Sequence, residues 1–464
     1  MKRILLSAFA LIAAFCTTAP AAETTYLRVF AHQSFDWARL APYGDVLSTD
    51  GRSAVLATTE DAIPELNRLP VELAPYRTTP PVEPMFTGRP PLPDVDSGLV
   101  QDLVNRVSPD SVLNTIRHLQ NYYTRYSTTD SCRNAVAWVR TRFDAFGCDS
   151  TALDTFRPTY APNVFGVKRG TVNPRQIYVI CGHTDNTSNA HPGHCPGSDD
   201  NASGTTAVLE ACRAFADCRF DNTVYFIGFT GEEQGLYGSD SFATRARRRG
   251  DSIVAVLNFD MISYGRQNLD SFDVTGKASG PDCQWLVDFY IAQADTFTTL
   301  KPVRVMDPTA TWSDHASFWD QGYVAFCGIE HDFTPDYHTT GDTIGPLYYP
   351  DCGTNNWYMA TEGIKAAVAS VAKLAGAHIV QPVEEEERLA RVRDMSVLST
   401  IGTGSFQVRL PAGSARLDVY DATGARVRSL PAPERNFVLD LATLNPGVYI
   451  IRSGDSSVRI IVMR

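Results

Sequence analysis

The stretch from Cys181 to Glu233 constrains the rest of the chain more than any other. It reads Cys-Gly-His-Thr-Asp at 181–185, Pro-Gly-Ser-Asp-Asp-Asn-Ala-Ser-Gly at 196–204, and Phe-Ile-Gly-Phe-Thr-Gly-Glu-Glu at 226–233. The apolar run Ile177–Cys181 stops at Gly182 and the run Thr223–Phe229 stops before Gly231, so two buried strands end in clusters that carry His183, Asp185, Glu232 and Glu233. The carboxyl edge of an open α/β sheet is where ligands bind. Between the two strands, Ala207, Val208, Ala211, Ala214 and Phe215 recur at helical spacing. Asp200 or Ser203 can serve as the N-cap of that helix. A cap needs only one short polar residue, whereas Asp199-Asp200 is a carboxylate pair flanked by glycines, which favours a ligand role for Asp200.

Two later segments fit the same chemistry. The strand Ile253–Asp260 ends in Asn258-Phe259-Asp260-Met261, and Tyr337-His338-Thr339-Thr340-Gly341-Asp342 follows the apolar strand Val324–Ile329. Two imidazoles with several carboxylates form a mixed nitrogen and oxygen set that suits Zn²⁺, and a shared carboxylate permits a two-metal site. The chain has no His-Glu-x-x-His motif and no Gly-x-Ser-x-Gly nucleophile elbow. Cys181, the penultimate residue of a buried strand, reads as packing rather than as a nucleophile.

In this order and spacing the motifs resemble the zinc aminopeptidases of the M28 peptidase class, over roughly Leu99 to Ala375. The resemblance implies two Zn²⁺ per chain, one held by His183 and Asp260 and the other by Glu233 and His338, with Asp200 bridging them. It implies Glu232 as the general base acting on a metal-activated water, Asp185 as the carboxylate that orients His183, and Tyr337 as the hydroxyl facing the developing oxyanion. Asp199 precedes the ligand position by one residue and falls outside the set. His315, in Ser313-Asp314-His315, lies in a segment the family shares near the mouth of the site and is expected to act behind the ligands. His32, His118, His191, His194, His331 and His378 belong to no motif and receive no role. The implied activity is that of a secreted exopeptidase removing N-terminal residues from peptides or proteins. Glutaminyl cyclases and carboxypeptidases on the same fold, or a non-catalytic surface protein, are the alternatives. Trp312, Phe333, Tyr348 and Tyr349 are candidates for an apolar substrate pocket.

With 464 residues the chain has room for two to four domains, and its net charge of -11 argues against a nucleic-acid surface. Residues 1–22 have the three parts of a secretory signal peptide: Met1-Lys2-Arg3, the apolar run Ile4–Phe15, and Ala19-Pro20-Ala21-Ala22. That run falls short of the ~20 apolar residues a transmembrane anchor needs, and no later run reaches it. Of the ten cysteines, Cys16 leaves with the leader, and an odd number remains, so at least one is free. An exported chain favours disulfides, and Cys212 with Cys218 is the best local pair.

Residues 23–95 combine short strands, a helix-like Glu60–Leu69 and a proline-rich linker, and resemble the propeptides of secreted peptidases. A domain retained in the mature protein is the other reading. From 96 to 380, strands and helices alternate as in a three-layer αβα domain with a mostly parallel sheet. Ser108-Pro109-Asp110 marks one helix start and Gly147 one helix end. The acidic linker 381–395 separates this domain from 396–464, where short β-rich runs and Asn-Pro-Gly turns predict a small β-sandwich. Leu-Asp-Val-Tyr-Asp-Ala-Thr-Gly at 417–424, Leu-Asn-Pro-Gly-Val-Tyr at 444–449 and the terminal Arg-Ile-Ile-Val-Met-Arg resemble the C-terminal sorting domain of the type IX secretion system. That resemblance implies a secretion machinery as partner and delivery through the periplasm to the cell surface or medium.

Overall fold

A computed structural model of the protein describes residues 23–78, 82–265, 271–344, 357–379, 396–397, 401–410, 414, 416–431, 436–454 and 456–463. The leader at 1–22 with Cys16, the acidic linker at 381–395, the Tyr348-Tyr349 pair and Cys352 lie outside these residues. The chain divides into two compact units, Met1–Ile379 and Val380–Arg464.

The first unit opens with a four-stranded antiparallel sheet ordered β2-β3-β1-β4, built from β1 (Thr24–Phe30), β2 (Gly44–Thr49), β3 (Ser53–Thr59) and β4 (Glu72–Pro75). Leu27, Val29, Leu56, Leu66 and Leu73 give it a core of its own. The helix expected over Glu60–Leu69 is shorter: a 3₁₀ turn at Glu60–Ala62 leads into α1, Ile63–Leu66, with proline in its first turn. It stops because Asn67 turns its side chain inward to donate to the carbonyl of Glu233 at 2.5 Å.

Next come α2 (Ser97–Asn105), α3 (Pro109–Gln120), α4 (Asp130–Ala145), β5 (Ser150–Asp154), β6 (Asn163–Lys168), β7 (Asn173–His183), α5 (Gly204–Ala214), β8 (Cys218–Phe220), β9 (Asn222–Phe229), α6 (Tyr237–Arg249) and β10 (Ser252–Phe259). They are followed by β11 (Ser271–Gly276), α7 (Gln284–Phe297), β12 (Lys301–Met306), α8 (His315–Asp320), β13 (Ala325–Glu330), α9 (Trp357–Ala375) and β14 (Ala377–Ile379). The Ser108 hydroxyl caps α3, accepting from the Ser111 N–H at 3.2 Å, with Pro109 in the first turn, as the sequence predicts.

An eight-stranded sheet ordered β12-β11-β13-β10-β7-β9-β6-β5 forms the middle of the unit. Its four central neighbours, β13, β10, β7 and β9, are parallel, while β6 and β5 add antiparallel at one side and β11 joins β13 antiparallel at the other. The fold is thus mixed α/β with a mostly parallel central sheet. Parallel strands buried on both faces read as continuous apolar runs, and all but the first residue of β10 are buried. Side chains of opposite parity on β9 show the layering: Phe226 meets Phe143 of α4, whereas Phe229 meets Phe242 of α6 and Phe318 of α8.

Cys148 and Cys212 bring their sulfurs within 3.5 Å, so the neighbour of Cys212 is Cys148 and not Cys218, which the sequence favoured. Spacing along the chain could not reveal this, because the pair joins the segment just after α4 to the last turn of α5.

In the second unit the described strands form two sheets. One orders Ser396–Val397, Ser405–Arg409 and Asn436–Asp440, the other Ile401–Gly402, Ser456–Val462, Gly447–Ser453, Arg416–Asp421 and Arg426–Pro431. Phe406, Val408 and Leu439 of the first share one apolar cluster with Leu417, Val419, Ile451 and Ile460 of the second. The strand Arg426–Pro431 adds to those expected from the sequence; its side chains stay largely exposed, so no buried face marks it in the local pattern.

Candidate metal centre

Parallel strands deliver their carboxyl ends to one edge, and the polar clusters meet there. His183 is the last residue of β7, Glu232 and Glu233 lie in the loop after β9, Asp260 follows β10 directly, and His338 lies in the loop after β13. Asp200 comes from the turn before α5.

The Nε2 of His183 lies 3.1 Å from Oδ1 of Asp260, 3.4 Å from Oδ1 of Asp200 and 4.0 Å from Oε2 of Glu232. The Nε2 of His338 lies 3.1 Å from Oδ2 of Asp200 and 3.1 Å from Oε2 of Glu233. The two oxygens of Asp200 therefore face two different imidazoles. Exposure is 1% for His183 and Glu233, 2% for Glu232, 3% for His338, 4% for Asp200 and 5% for Asp260, so water does not compensate these charges.

Several buried groups hold this arrangement. Asn201 accepts from the N–H of Gly204 at 2.7 Å and donates to the carbonyl of Phe259 at 3.0 Å, joining the start of α5 to the end of β10. Gly204 must be glycine, since a Cβ there would stand 2.1 Å from the Phe259 carbonyl oxygen. Asn201, not Ser203, is thus the residue that caps α5, and Asp200 is left for the site. Asp342 accepts from the N–H groups of Asp199 and Asp200 at 2.9 and 3.0 Å, tying the His338 loop to the Asp200 turn. Ser313 donates to Oδ2 of Asp260 at 2.6 Å, and Ser127 to Oδ2 of Asp185 at 2.6 Å.

Arg125 is fully buried and spends its guanidinium on backbone carbonyls: Thr184, Leu119 and Pro196 at 2.9 Å and Gly197 at 2.6 Å. Hydrogen bonds from a charged donor contribute about 1.5–3 kcal/mol each. This fork locks the chain after His183 against the approach to Asp199-Asp200. Gly197, at φ +52, makes the turn that a side chain would obstruct, because a Cβ would lie 2.3 Å from the Asn186 amide.

The electrostatics call for a cation. Burial disfavours a charged imidazole, but Asp260 and Glu232 around His183, and Glu233 and Asp200 around His338, reverse this and hold both rings well above the ordinary histidine range. Burial pushes Glu232 well above the usual carboxylate range against the pull of His183, and burial with the Asp200 charge takes Glu233 up to about 7. Asp260 stays low: burial would raise it, but His183 and the Ser313 hydroxyl outweigh that. Among the described residues, Oδ2 of Asp200, both oxygens of Glu233, Oε1 of Glu232 and Nε2 of His338 are buried without a hydrogen bond. Lone pairs converging in a dry site are strongly unfavourable unless a cation joins them. Triads such as His183-Asp200-Glu233 and His183-Glu232-Asp260 have ligand atoms within 4.8 Å of one another. The donor set of imidazole and carboxylate fits zinc.

Some sequence expectations shift in detail. Nearest to Nδ1 of His183 is the backbone carbonyl of Asp185 at 3.1 Å, with its carboxylate at 3.7 Å. His315 does not reach the ligands: its Nε2 lies 2.7 Å from the Ala310 carbonyl oxygen, and burial brings it down to about 4, so it is neutral. Its near neighbour Ser313 touches Asp260 instead. Asp199 is outside the ligand set, accepting from the N–H and hydroxyl of Ser263 at 2.7 and 2.9 Å. Tyr337 donates its hydroxyl to Glu72, a residue of β4 that belongs to no motif. Trp312 and Phe333 flank Tyr337 in one apolar cluster with Met261 and Ile329. Gly197, Asn201, Gly204, Ser313 and Asp342 lie in segments that the sequence pattern singles out, whereas Ser127, Arg125 and Glu72 carry no such signal.

Residues 163–361 match the model of peptidase family M28. The chain is 29% identical over 312 residues to a probable zinc metalloprotease of Pyrenophora tritici-repentis, covering 55% of this chain and 71% of that protein. It is 27% identical over 263 residues to a probable leucine aminopeptidase of Arthroderma otae, covering 53% and 70%. With leucine aminopeptidase 1 of Sclerotinia sclerotiorum it shares 29% identity over 305 residues, covering 60% and 75%. The fold is similar to that of the LapA aminopeptidase of Legionella pneumophila, with a TM-score of 0.59 at 20% identity, over 76% of this chain and 99% of that one. Residues 163–361 are therefore an M28 peptidase domain, and the protein that carries it is a zinc-dependent peptidase.

Proposed function

We propose that the protein is a di-zinc aminopeptidase that hydrolyses the N-terminal peptide bond of peptides. The observation that carries this reading is the placement of Asp200, with Oδ1 3.4 Å from His183 and Oδ2 3.1 Å from His338. A carboxylate facing two imidazoles that each have a further acid beside them suits a bridging ligand. In this reading His183 and Asp260 hold one ion, Glu233 and His338 the other. A single-zinc cyclase would have no use for the complete His183-Asp260 pair.

When bound, zinc supplies Lewis acidity that lowers the pKa of water and polarises the scissile carbonyl. The chain's own groups do the rest. Glu232 takes the proton of the attacking water and passes it to the leaving amine; its raised affinity for a proton suits both halves of that task. Tyr337 donates to the oxyanion as charge develops on it. Asp185 and Ser127 fix the ring of His183, and burial of the whole cluster keeps bulk water from screening these charges.

The reading extends to the whole chain. Residues 1–22 act as a secretory leader, and 396–464 form a β-sandwich that serves as the sorting signal of a type IX secretion system. Support comes from the three-part leader and from the change to short strands split by Asn-Pro-Gly turns. The product is then secreted or held at the cell surface after passing the periplasm.

Dialysis against a strong chelator should abolish hydrolysis of aminoacyl-nitroanilides, and Zn²⁺ should restore it with two ions bound per chain. Activity indifferent to chelation would end the metal mechanism. One ion per chain together with a pyroglutamyl product would transfer the protein to the cyclases.

A further inference from the structure

The chain just after α4 meets the last turn of α5 through two sulfurs. α4 ends at Ala145, and Gly147, at φ +74, turns the chain back on the helix. The N–H of Cys148 then reaches the carbonyl of Phe143 and the N–H of Gly147 that of Asp144, both at 3.2 Å. This pair of bonds closes a helix on a left-handed glycine and sets the next residue by backbone alone. The N–H of Asp149 bonds the carbonyl of Val167 at 2.8 Å, so Cys148 is held on both sides. Its sulfur fits because residue 166 on β6 is glycine; a Cβ there would stand 2.7 Å from it. Cys212 is fixed by α5 itself and is fully buried, and its sulfur lies 3.5 Å from that of Cys148.

A second clamp joins the same two helix ends. Lys168 is buried and donates its Nζ to the carbonyls of Gly147 and Ala216, each at 3.1 Å, tying the turn after α4 to the turn after α5. The ammonium meets the partial negative charge of two helix C-termini there. The sulfur contact is therefore a product of how α4 and α5 pack, not of one loose side chain. Other cysteines turn their sulfurs elsewhere: Cys181 and Cys327 face Asn258, Cys195 faces Ser188 and Cys283 faces the Pro281 carbonyl. Burial, and after it the contact with Cys148, hold the Cys212 thiol well above its ordinary range, because a thiolate is disfavoured in a dry position. A disulfide carries no charge and suits the same position.

We propose that Cys148 and Cys212 form a disulfide in the working enzyme, a covalent brace between α4 and α5 across 64 residues of chain. α5 begins at Gly204, whose N–H is bonded to Asn201 beside Asp200, so the brace holds the helix that leads out of the metal centre. The oxidant is a small-molecule disulfide such as oxidised glutathione. The sulfur of Cys148, which is only half-buried, displaces one thiol from that reagent, and the sulfur of Cys212 then displaces the second thiol from Cys148. The two cysteines give up two electrons and two protons, and the reagent takes them and leaves as two thiols. The assignment goes beyond the aminopeptidase reading and stands without it. An oxidising compartment, such as export through the leader at 1–22 would provide, lets the bond persist.

The test uses the full chain loaded with Zn²⁺. It is reduced with a phosphine, freed of the reductant and equilibrated with a mixture of oxidised and reduced glutathione, and the remaining thiols are capped with iodoacetamide. Digestion without reduction should yield a linked peptide pair containing Cys148 and Cys212, lighter by two hydrogens than the sum of its halves, which separates on reduction. Capped Cys148 and Cys212, or Cys148 joined only to glutathione or to another cysteine, would overturn the proposal. Thermal unfolding reads the brace itself. Closing a span of this length should place the Tm of the oxidised chain roughly 5 °C or more above that of the reduced chain. Cys148→Ser should melt with the reduced wild type whatever the glutathione ratio. Equal Tm for the oxidised and reduced wild type would reject the brace even with the linked peptide present. Should Cys148→Ser fail to fold, the phosphine-reduced wild type makes the same comparison without a substitution.

Discussion

Oδ2 of Asp342 accepts the backbone N–H of Asp200 at 3.0 Å, while its Oδ1 accepts that of Asp199 at 2.9 Å. One carboxylate thereby fixes the turn that carries Asp200, from within the same loop that carries His338. Asp342→Asn leaves one of the two N–H groups facing an amide NH₂ in place of an acceptor. Zinc affinity should fall about 10–100-fold, the usual cost of losing a partner behind a ligand. Competition with a chromophoric chelator measures it, and unchanged affinity would show that the turn holds itself.

Glu232 is set apart from the ligands by position: its Oε2 lies 4.0 Å from His183, farther than Asp260 or Asp200. Glu232→Gln should keep two zinc ions per chain by elemental analysis while lowering kcat at least ~10²-fold. Loss of metal in this variant would make Glu232 a ligand and move the base elsewhere.

Asp199 and Glu330 form a buried carboxyl pair. Burial raises both, Glu330 well above the usual range, and the hydrogen bond between them needs Glu330 to keep its proton. Below the unfolded value near 4.5 the folded and unfolded states are both protonated and nothing is lost. Above it the unfolded chain releases a proton that the folded chain retains, so stability falls as pH rises, by up to about 1.4 kcal/mol per unit. Glu330→Gln preserves the donor and removes the titration. Its Tm should be flatter than wild type between pH 5 and 9; parallel curves would show that the pair does not share a proton.

The catalytic unit ends at Ile379 and every ligand of the candidate centre precedes it. A chain ending at Val383 should hydrolyse aminoacyl-nitroanilides with kcat/KM close to that of the full protein, yet remain in the periplasm of its host. A folded but inactive truncation would give the second unit a part in the site, and normal export would remove its sorting role.

Local pattern determined much of this protein. Apolar runs that stop at glycine marked β7 and β9, a run that stops at Asp260 marked β10, and in a parallel sheet all carboxyl ends fall on one edge. His183, Glu232, Glu233 and Asp260 therefore had to gather wherever that sheet formed. The spacing of Val112, Ile116 and Leu119 likewise gave α3 its buried face. What no local pattern contains is a contact made once across a long loop. Arg125 reads as an ordinary surface residue until Thr184, Pro196 and Gly197 turn their carbonyls towards it. Cys148 finds Cys212 only after α4 and α5 pack. Glu72 lies 265 residues from the tyrosine that binds it, on an edge strand whose sequence, Glu-Leu-Ala-Pro, announces no chemistry. Secondary structure follows from the nearest few residues, but the docking of one sheet onto another follows from the shapes and charges of complete surfaces, which exist only after each part has folded.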